Sequence, residues 1–208
     1  MNNLTELLTT ALKENQLSLT DDAVQKLVRY LELLIQWNQV FNLTAITAPR
    51  DMVYLHIIDS LIVQPHLHGK HMLDVGTGAG LPGIPLAIAN PDQQWVLLDK
   101  NSKKTRFLTQ TIAELNLKNV SAVHNRSEDF HPAHCFDSIL SRAFGTIEMF
   151  METTNHLLCT NGIWIAMKGK YPEEELSILS DRNLTETMTR LSIKGIDVER
   201  HVICLRKK

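Results

Sequence analysis

Between residues 71 and 168, five apolar runs, HMLDV, WVLLD, NVSAVH, FDSILS and GIWIAMK, alternate with stretches of helix-like spacing. Strands covered by helices on both faces read as short apolar runs of this kind, and their repetition with intervening helices builds a parallel sheet. Two further segments, ETMTRLSIK and ERHVICLRK, meet around Gly195 to Asp197 without room for a helix, so they are expected to pair antiparallel at the sheet's end. The fold class is therefore α/β, a mostly parallel seven-stranded sheet with an antiparallel end strand.

Residues 1 to about 66 differ in texture. Val24, Leu27, Val28, Leu31, Leu34 and Ile35 recur at helical spacing, Thr20 is placed to cap, and Asp21 and Asp22 suit the first turn. Leu4, Leu7, Leu8, Ala11 and Leu12 predict a shorter helix before it, and Met52 to Val63 resumes the pattern after VFNLTAITAP. Residues 1–66 read as a helical extension and 67–208 as the sheet domain. With 208 residues, 44% of them hydrophobic, the chain fills one core rather than two.

The first strand runs straight into HMLDVGTGAGLPGIPLA, where a sheet-to-helix turn aims free helix N–H groups at whatever the bend holds. Gly76, Gly78 and Gly80 let the backbone bend and let a ligand approach it, and Pro82 fits a first helical turn, where its missing N–H has no role. Pro85 is expected to fall beyond that exemption. Gly78, Gly80 and Gly83 also spell G-x-G-x-x-G, so a NAD-dependent oxidoreductase is a competing reading. Asp74 separates the two. A carboxylate two residues before the first glycine repels a pyrophosphate and attracts a cationic amino-acid group. S-Adenosylmethionine carries such a group and a sulfonium, and it has no phosphate. The alternative for Asp74 is a carboxylate that only ties down its own turn.

Ligands of open parallel sheets sit beyond the carboxyl ends of the strands. Asp74, Asp99, Ser127 with Glu128, Arg142 and Lys168 all fall there. Asp99, ending WVLLD, suits the two hydroxyls of a ribose; Ser127 and Glu128 are placed to meet an adenine, and Leu81 to add apolar contact. Arg142 and Lys168 are candidate donors to a substrate, or rim salt bridges.

Formal charge is −2, so a polyanion must meet a local patch rather than a basic protein. Lys100, Lys103, Lys104 and Arg106, around the helix after Asp99, are candidate phosphate contacts, as are Lys170 and the tail residues Arg206, Lys207 and Lys208. His56, Asp59 and Ser60 share a helix face and suit either a helix contact or substrate binding. His66, His68 and His71, and His131, His134 and Cys135, lack the second cluster that a zinc site needs, so no metal is expected. Cys135, Cys159 and Cys204 read as buried thiols and hence a reducing, cytoplasmic setting. The first residues resemble neither a signal peptide nor an anchor, and no run is long enough to span a bilayer.

FNLTAI at 41–46, HIIDSL at 56–61, DVGTGAGLPGIPLA at 74–87, LLD at 97–99, SRAF at 141–144 and MKG at 167–169 together resemble the RsmG (GidB) family, the bacterial 16S rRNA guanine-N7 methyltransferases. The resemblance implies a Rossmann-like class I methyltransferase fold, S-adenosyl-L-methionine as cofactor, and one guanosine of 16S rRNA in the small subunit or its precursor as substrate. It also implies cofactor contacts at Gly76, Leu81, Ser127, Glu128 and Arg142. Leu55 departs from the family, whose members often have a basic residue there. A monomer is expected. A non-catalytic S-adenosylmethionine-binding module on RNA is the remaining alternative.

Overall fold

The computed structural model describes residues 2–179 and 184–208. Helices α1 (Asn2–Glu14) and α2 (Asp21–Phe41) open the chain. The Thr20 side chain accepts from the Ala23 N–H, as the cap pattern predicts, and Asn42 ends α2 in the left-handed region. The short helix α3 (Pro49–Met52) runs through a π-helical segment, Val53–Ile58, into α4 (Asp59–Leu61).

The sheet follows in the expected order: β1 (His71–Val75), α5 (Gly83–Ala89), β2 (Gln94–Asp99), α6 (Ser102–Glu114), β3 (Val120–His124), β4 (Phe136–Arg142), α7 (Ile147–Thr154), β5 (Leu158–Lys168), α8 (Glu173–Leu179), β6 (Leu184–Leu191) and β7 (Arg200–Lys207). Strand order is β3-β2-β1-β4-β5-β7-β6. The first five strands pair parallel, and β7 runs antiparallel to both neighbours.

Alternate strand residues enter opposite layers. Leu73, Ile139, Trp164 and Ile203 pack with α7 and α8 on one face, while Met72, Leu140, Ile165 and Val202 pack on the other with Leu86 of α5. The helices before residue 66 share a continuous buried cluster with the sheet domain: Leu8, Leu27 and Leu31 join Ile84, Leu97 and Phe107. The β6–β7 connection closes onto those helices, since Asn15 bonds both backbone groups of Lys194 and the Tyr54 ring packs against Gly195.

Two local expectations change. Helix α5 starts at Gly83, later than Pro82 suggests, so Pro85 is its third residue and still lies among the first-turn positions that need no N–H. Cys135 and Cys159, one residue before Phe136 and one after Leu158, are joined in a disulfide beside the register shift in the β4–β5 pairing; Cys204 alone is a buried free thiol. The cysteines therefore give no argument for a reducing compartment. No helix among the described residues is long and apolar enough to cross a membrane.

Candidate active site

A cleft of ≈490 Å³ opens beyond the ends of β1, β2 and β4, where the strand order reverses direction between β1 and β4. Its volume falls within the range of small-molecule sites, and its place is the switch point at which open α/β sheets hold ligands. Val75 and Gly76 form one wall, Leu98, Asp99 and Lys100 a second, Asn125 to Glu128 a third, and Ala143, Phe144, Met149 and Thr153 an apolar fourth.

The glycine loop is shaped from within. Asp74 is fully buried, and one carboxylate oxygen accepts from the Thr77 hydroxyl at 2.6 Å and from the Gly83 N–H at 2.8 Å. The other, Oδ1, has no partner among the described residues. Burial raises the Asp74 pKa to about 6, against the opposing pull of the Thr77 and Gly83 hydrogen bonds. Gly76 and Gly78 stand at φ +66° and +63°, a region in which side chains are strained, and a Cβ on Gly76 would press into the Phe144 ring. Gly80 and Gly83 face inward instead. A Cβ on Gly83 would lie 2.2 Å from Leu97, so the last glycine of the fingerprint serves the packing of α5 on β2. Leu81 is likewise core, 4% exposed beside Tyr30 and Phe107, and not a lining residue of the cleft.

Asp99 sits at the rim of β2. Its Oδ2 accepts from the Gly78 N–H at 2.9 Å and its Oδ1 from the Asn101 N–H at 2.8 Å, so the carboxylate is fixed in direction and keeps lone pairs toward the cleft it lines. Ser127 is buried and donates to Glu128 Oε2 at 2.9 Å. The Glu128 carboxyl is held below its usual range first by its own backbone N–H and then by that hydroxyl. The lining groups fit a nucleoside: a strand-end carboxylate for hydroxyls and a polar edge for adenine, while Asp74 lies behind the loop, outside the lining, and ties the loop to itself through Thr77 and Gly83.

The two candidate substrate donors are both engaged. Arg142 Nη1 donates to Asp59 Oδ2 and to the Leu55 carbonyl, each at 3.0 Å. Arg200 Nε reaches the other oxygen of Asp59, which is 2% exposed. Lys168 Nζ donates to the Gly145 carbonyl at 2.8 Å and to both oxygens of Glu175 at 2.9 Å, while Glu175 also accepts from the Ile147 N–H that opens α7. Lys168 thus adopts the rim salt bridge, and Arg142 ties β4 to the helical extension.

Residues 23–203 match the family described as rRNA small subunit methyltransferase G. The chain belongs to that family. It is 42% identical over 203 residues to ribosomal RNA small subunit methyltransferase G of Pasteurella multocida, covering 98% of this chain and 97% of that one. Identity to the protein of the same name from Chromobacterium violaceum is 48% over 188 residues, 90% of each. Among solved structures, an O-methyltransferase from Bacillus cereus in complex with SAH aligns with a TM-score of 0.61 at 16% identity, over 86% of this chain and 90% of that one. Precorrin-6y C5,15-methyltransferase from Geobacter metallireducens aligns at 0.58 and 14%, over 72% and 87%. At such identities the likeness is one of fold, and it bears out the class I methyltransferase architecture.

The basic residues separate into those near the cleft and those far from it. Lys100 and Lys104 line it, Lys103 and Arg106 are exposed on α6, and Lys170 is exposed just past β5. Arg206 is exposed at the other end of the sheet. Because β7 runs antiparallel, His201 pairs with Lys168 at the cleft end and Arg206 lies five residues further, roughly 17 Å away. His56 does not reach the surface. It is 3% exposed, with Nε2 3.0 Å from the Thr44 hydroxyl, and burial lowers its pKa to about 4. Asp59 and Ser60 are buried beside it, so this face of the helix is a packing contact. Among the described residues no group of three or more His, Cys, Asp or Glu is placed to hold a metal ion.

The sequence reading missed Phe144 and Met149 as cleft walls and Arg200 as the second partner of Asp59. Phe144 follows the end of β4 by two residues, a position the strand-end rule could have flagged. Arg200 carries no comparable mark, because β7 reaches the rim only through its antiparallel return.

Proposed function

We propose that this protein transfers the methyl group of S-adenosylmethionine to N7 of a guanosine in 16S rRNA, within the small ribosomal subunit or its precursor, acting in the cytoplasm as a monomer. The observation that carries this reading is Asp99, a directed carboxylate in the wall of a nucleoside-sized cleft, in a chain that belongs to an rRNA methyltransferase family.

Asp99 would accept hydrogen bonds from the ribose hydroxyls, and Ser127 with Glu128 would meet the adenine. Gly76 and Gly78 would let the tail lie against the backbone, and Asp74, buried behind the loop and outside the cleft lining, holds that loop in shape through Thr77 and Gly83. When bound, S-adenosylmethionine supplies a methyl group activated by its sulfonium. The chain's part is geometric, because guanine N7 carries a free lone pair and no proton, so no general base is required. Phe144 and Met149 exclude water from the approach line, and fixed alignment of two reactants contributes many powers of ten. Arg142 and Lys168 act as positioning residues. The first orders the end of β4 through Asp59, the second the start of α7 through Glu175, and neither occupies N7.

The test is incubation with labelled S-adenosylmethionine and small subunits from cells that lack the activity, followed by mapping of the label. Label on N7 of one 16S guanosine is expected. Label on protein or on an exocyclic nitrogen would overturn the substrate, and stabilisation by NAD instead of S-adenosylmethionine would overturn the cofactor.

A further inference from the structure

Helix α2 ends in an aromatic pair. Trp37 and Phe41 lie one turn apart with ring centroids 5.1 Å from each other, and Trp37 also meets Phe107 of α6 at 5.6 Å. Trp95 and Trp164 are each 1% exposed, but Trp37 is half-buried, Phe41 is 38% exposed and its neighbour Val40 is 71% exposed. Phe41 and Val40 thus put an aromatic face and an apolar neighbour at the surface where α2 ends.

Their location says what partner they fit. Arg29 bonds Glu114 at 2.8 Å while Trp37 meets Phe107, so α2 and α6 run antiparallel and the last turn of α2 lies beside the first turn of α6. That first turn carries Lys103 and Lys104. Lys103 precedes Phe107 by four residues and therefore shares its face, one turn nearer the cleft, and Lys104 lines the cleft itself. A helix N-terminus attracts phosphate, and here two lysines reinforce it. Aromatic faces beside a basic strip form the arrangement on which unpaired bases stack while their backbone tracks the cations. An apolar protein surface would gain nothing from the lysines.

We propose that Phe41, on its Trp37 support, is a stacking platform for an unpaired base of the RNA substrate next to the methylated nucleotide, with Lys103 holding the adjoining phosphate. This rests on the methyltransferase reading above and adds to it the single-stranded character of the substrate at the cleft edge.

The experiment measures methylation of small subunits by wild type, Phe41→Leu, Phe41→Tyr and Lys103→Ala. Phe41→Leu keeps the apolar contact with Trp37 and removes the π face. It is expected to raise KM for the particle on the order of tenfold, with kcat and S-adenosylmethionine affinity unchanged, and Phe41→Tyr is expected to restore the wild-type KM. Lys103→Ala, an exposed change independent of that packing, is expected to lower the salt dependence of particle binding by about one phosphate contact. An unchanged KM in Phe41→Leu overturns the platform while leaving the methyltransferase reading intact. A Leu variant that works better than Tyr would assign the patch to a protein surface instead. If wild type labels no RNA, the activity and the platform fall together.

Discussion

The Tyr30 hydroxyl donates to the Ala79 carbonyl at 2.8 Å, deep inside the molecule, and so joins helix α2 to the glycine loop. Burial pushes the phenol far above its usual pKa, and it therefore stays a donor at every working pH. The helical extension thus holds the loop that walls the cleft. Tyr30→Phe keeps the ring against Phe107 and leaves the Ala79 carbonyl buried without this partner. A loss of about 1–3 kcal/mol in urea unfolding is expected, together with weaker S-adenosylmethionine binding. Unchanged stability would mean that the loop holds itself.

Asp59 is shared by Arg142 and Arg200, which brings α4, β4 and β7 to one buried carboxylate. Removing the common partner leaves two guanidinium groups facing each other. Asp59→Ala is expected to lose about 3 kcal/mol or more of stability and most of its methylation activity. The check is chemical denaturation alongside single-turnover kinetics. A stable, fully active variant would show that this junction does not order the site.

Two buried groups give the stability curve opposite slopes in acid. His56 titrates in the folded chain at about 4 against 6.5 for the free side chain, so its contribution is present above pH 6.5 and is lost as pH falls through 4. Asp74 is raised from 3.8 to about 6, so its contribution is present below pH 3.8 and is lost as pH rises through 6. Each effect is up to about 3 kcal/mol, and they offset in the wild type. Denaturant titrations from pH 4 to 7 should show His56→Gln losing less stability on acidification than wild type, and Asp74→Asn losing more. Parallel curves would contradict the burial assigned to both.

Lys168 and Glu175 form one unit at the start of α7. If Lys168 works only by holding Glu175, Lys168→Met and Glu175→Gln should affect kcat alike, and the double variant should be no worse than either single one. Additive losses would give Lys168 a separate contact with substrate.

The strand ends were legible because the parallel α/β pattern fixes where they must fall: Asp74, Asp99, Arg142 and Lys168 each close a strand or stand one residue short of its end. Thr20 was legible as a cap because capping is local. What sequence could not supply is register. The Cys135–Cys159 bond forms where the β4–β5 register shifts, Arg206 is carried away from the cleft by the return of β7, and Arg200 is carried to Asp59 by the same strand. Met149 was hidden for another reason: an apolar residue in a cleft wall carries no mark in the sequence until the wall is built, whereas Phe144 stood two residues past a strand end.

The most direct measurement is calorimetric titration of the wild type and of Asp99→Ala with S-adenosylmethionine and, separately, with NAD. Wild type should bind one S-adenosylmethionine and no NAD, and the variant should stay folded with affinity lower by tenfold or more, on the order of one lost charged hydrogen-bond pair. Equal affinity in the two proteins, or binding of NAD by the wild type, would place the cofactor outside this cleft or replace it with another.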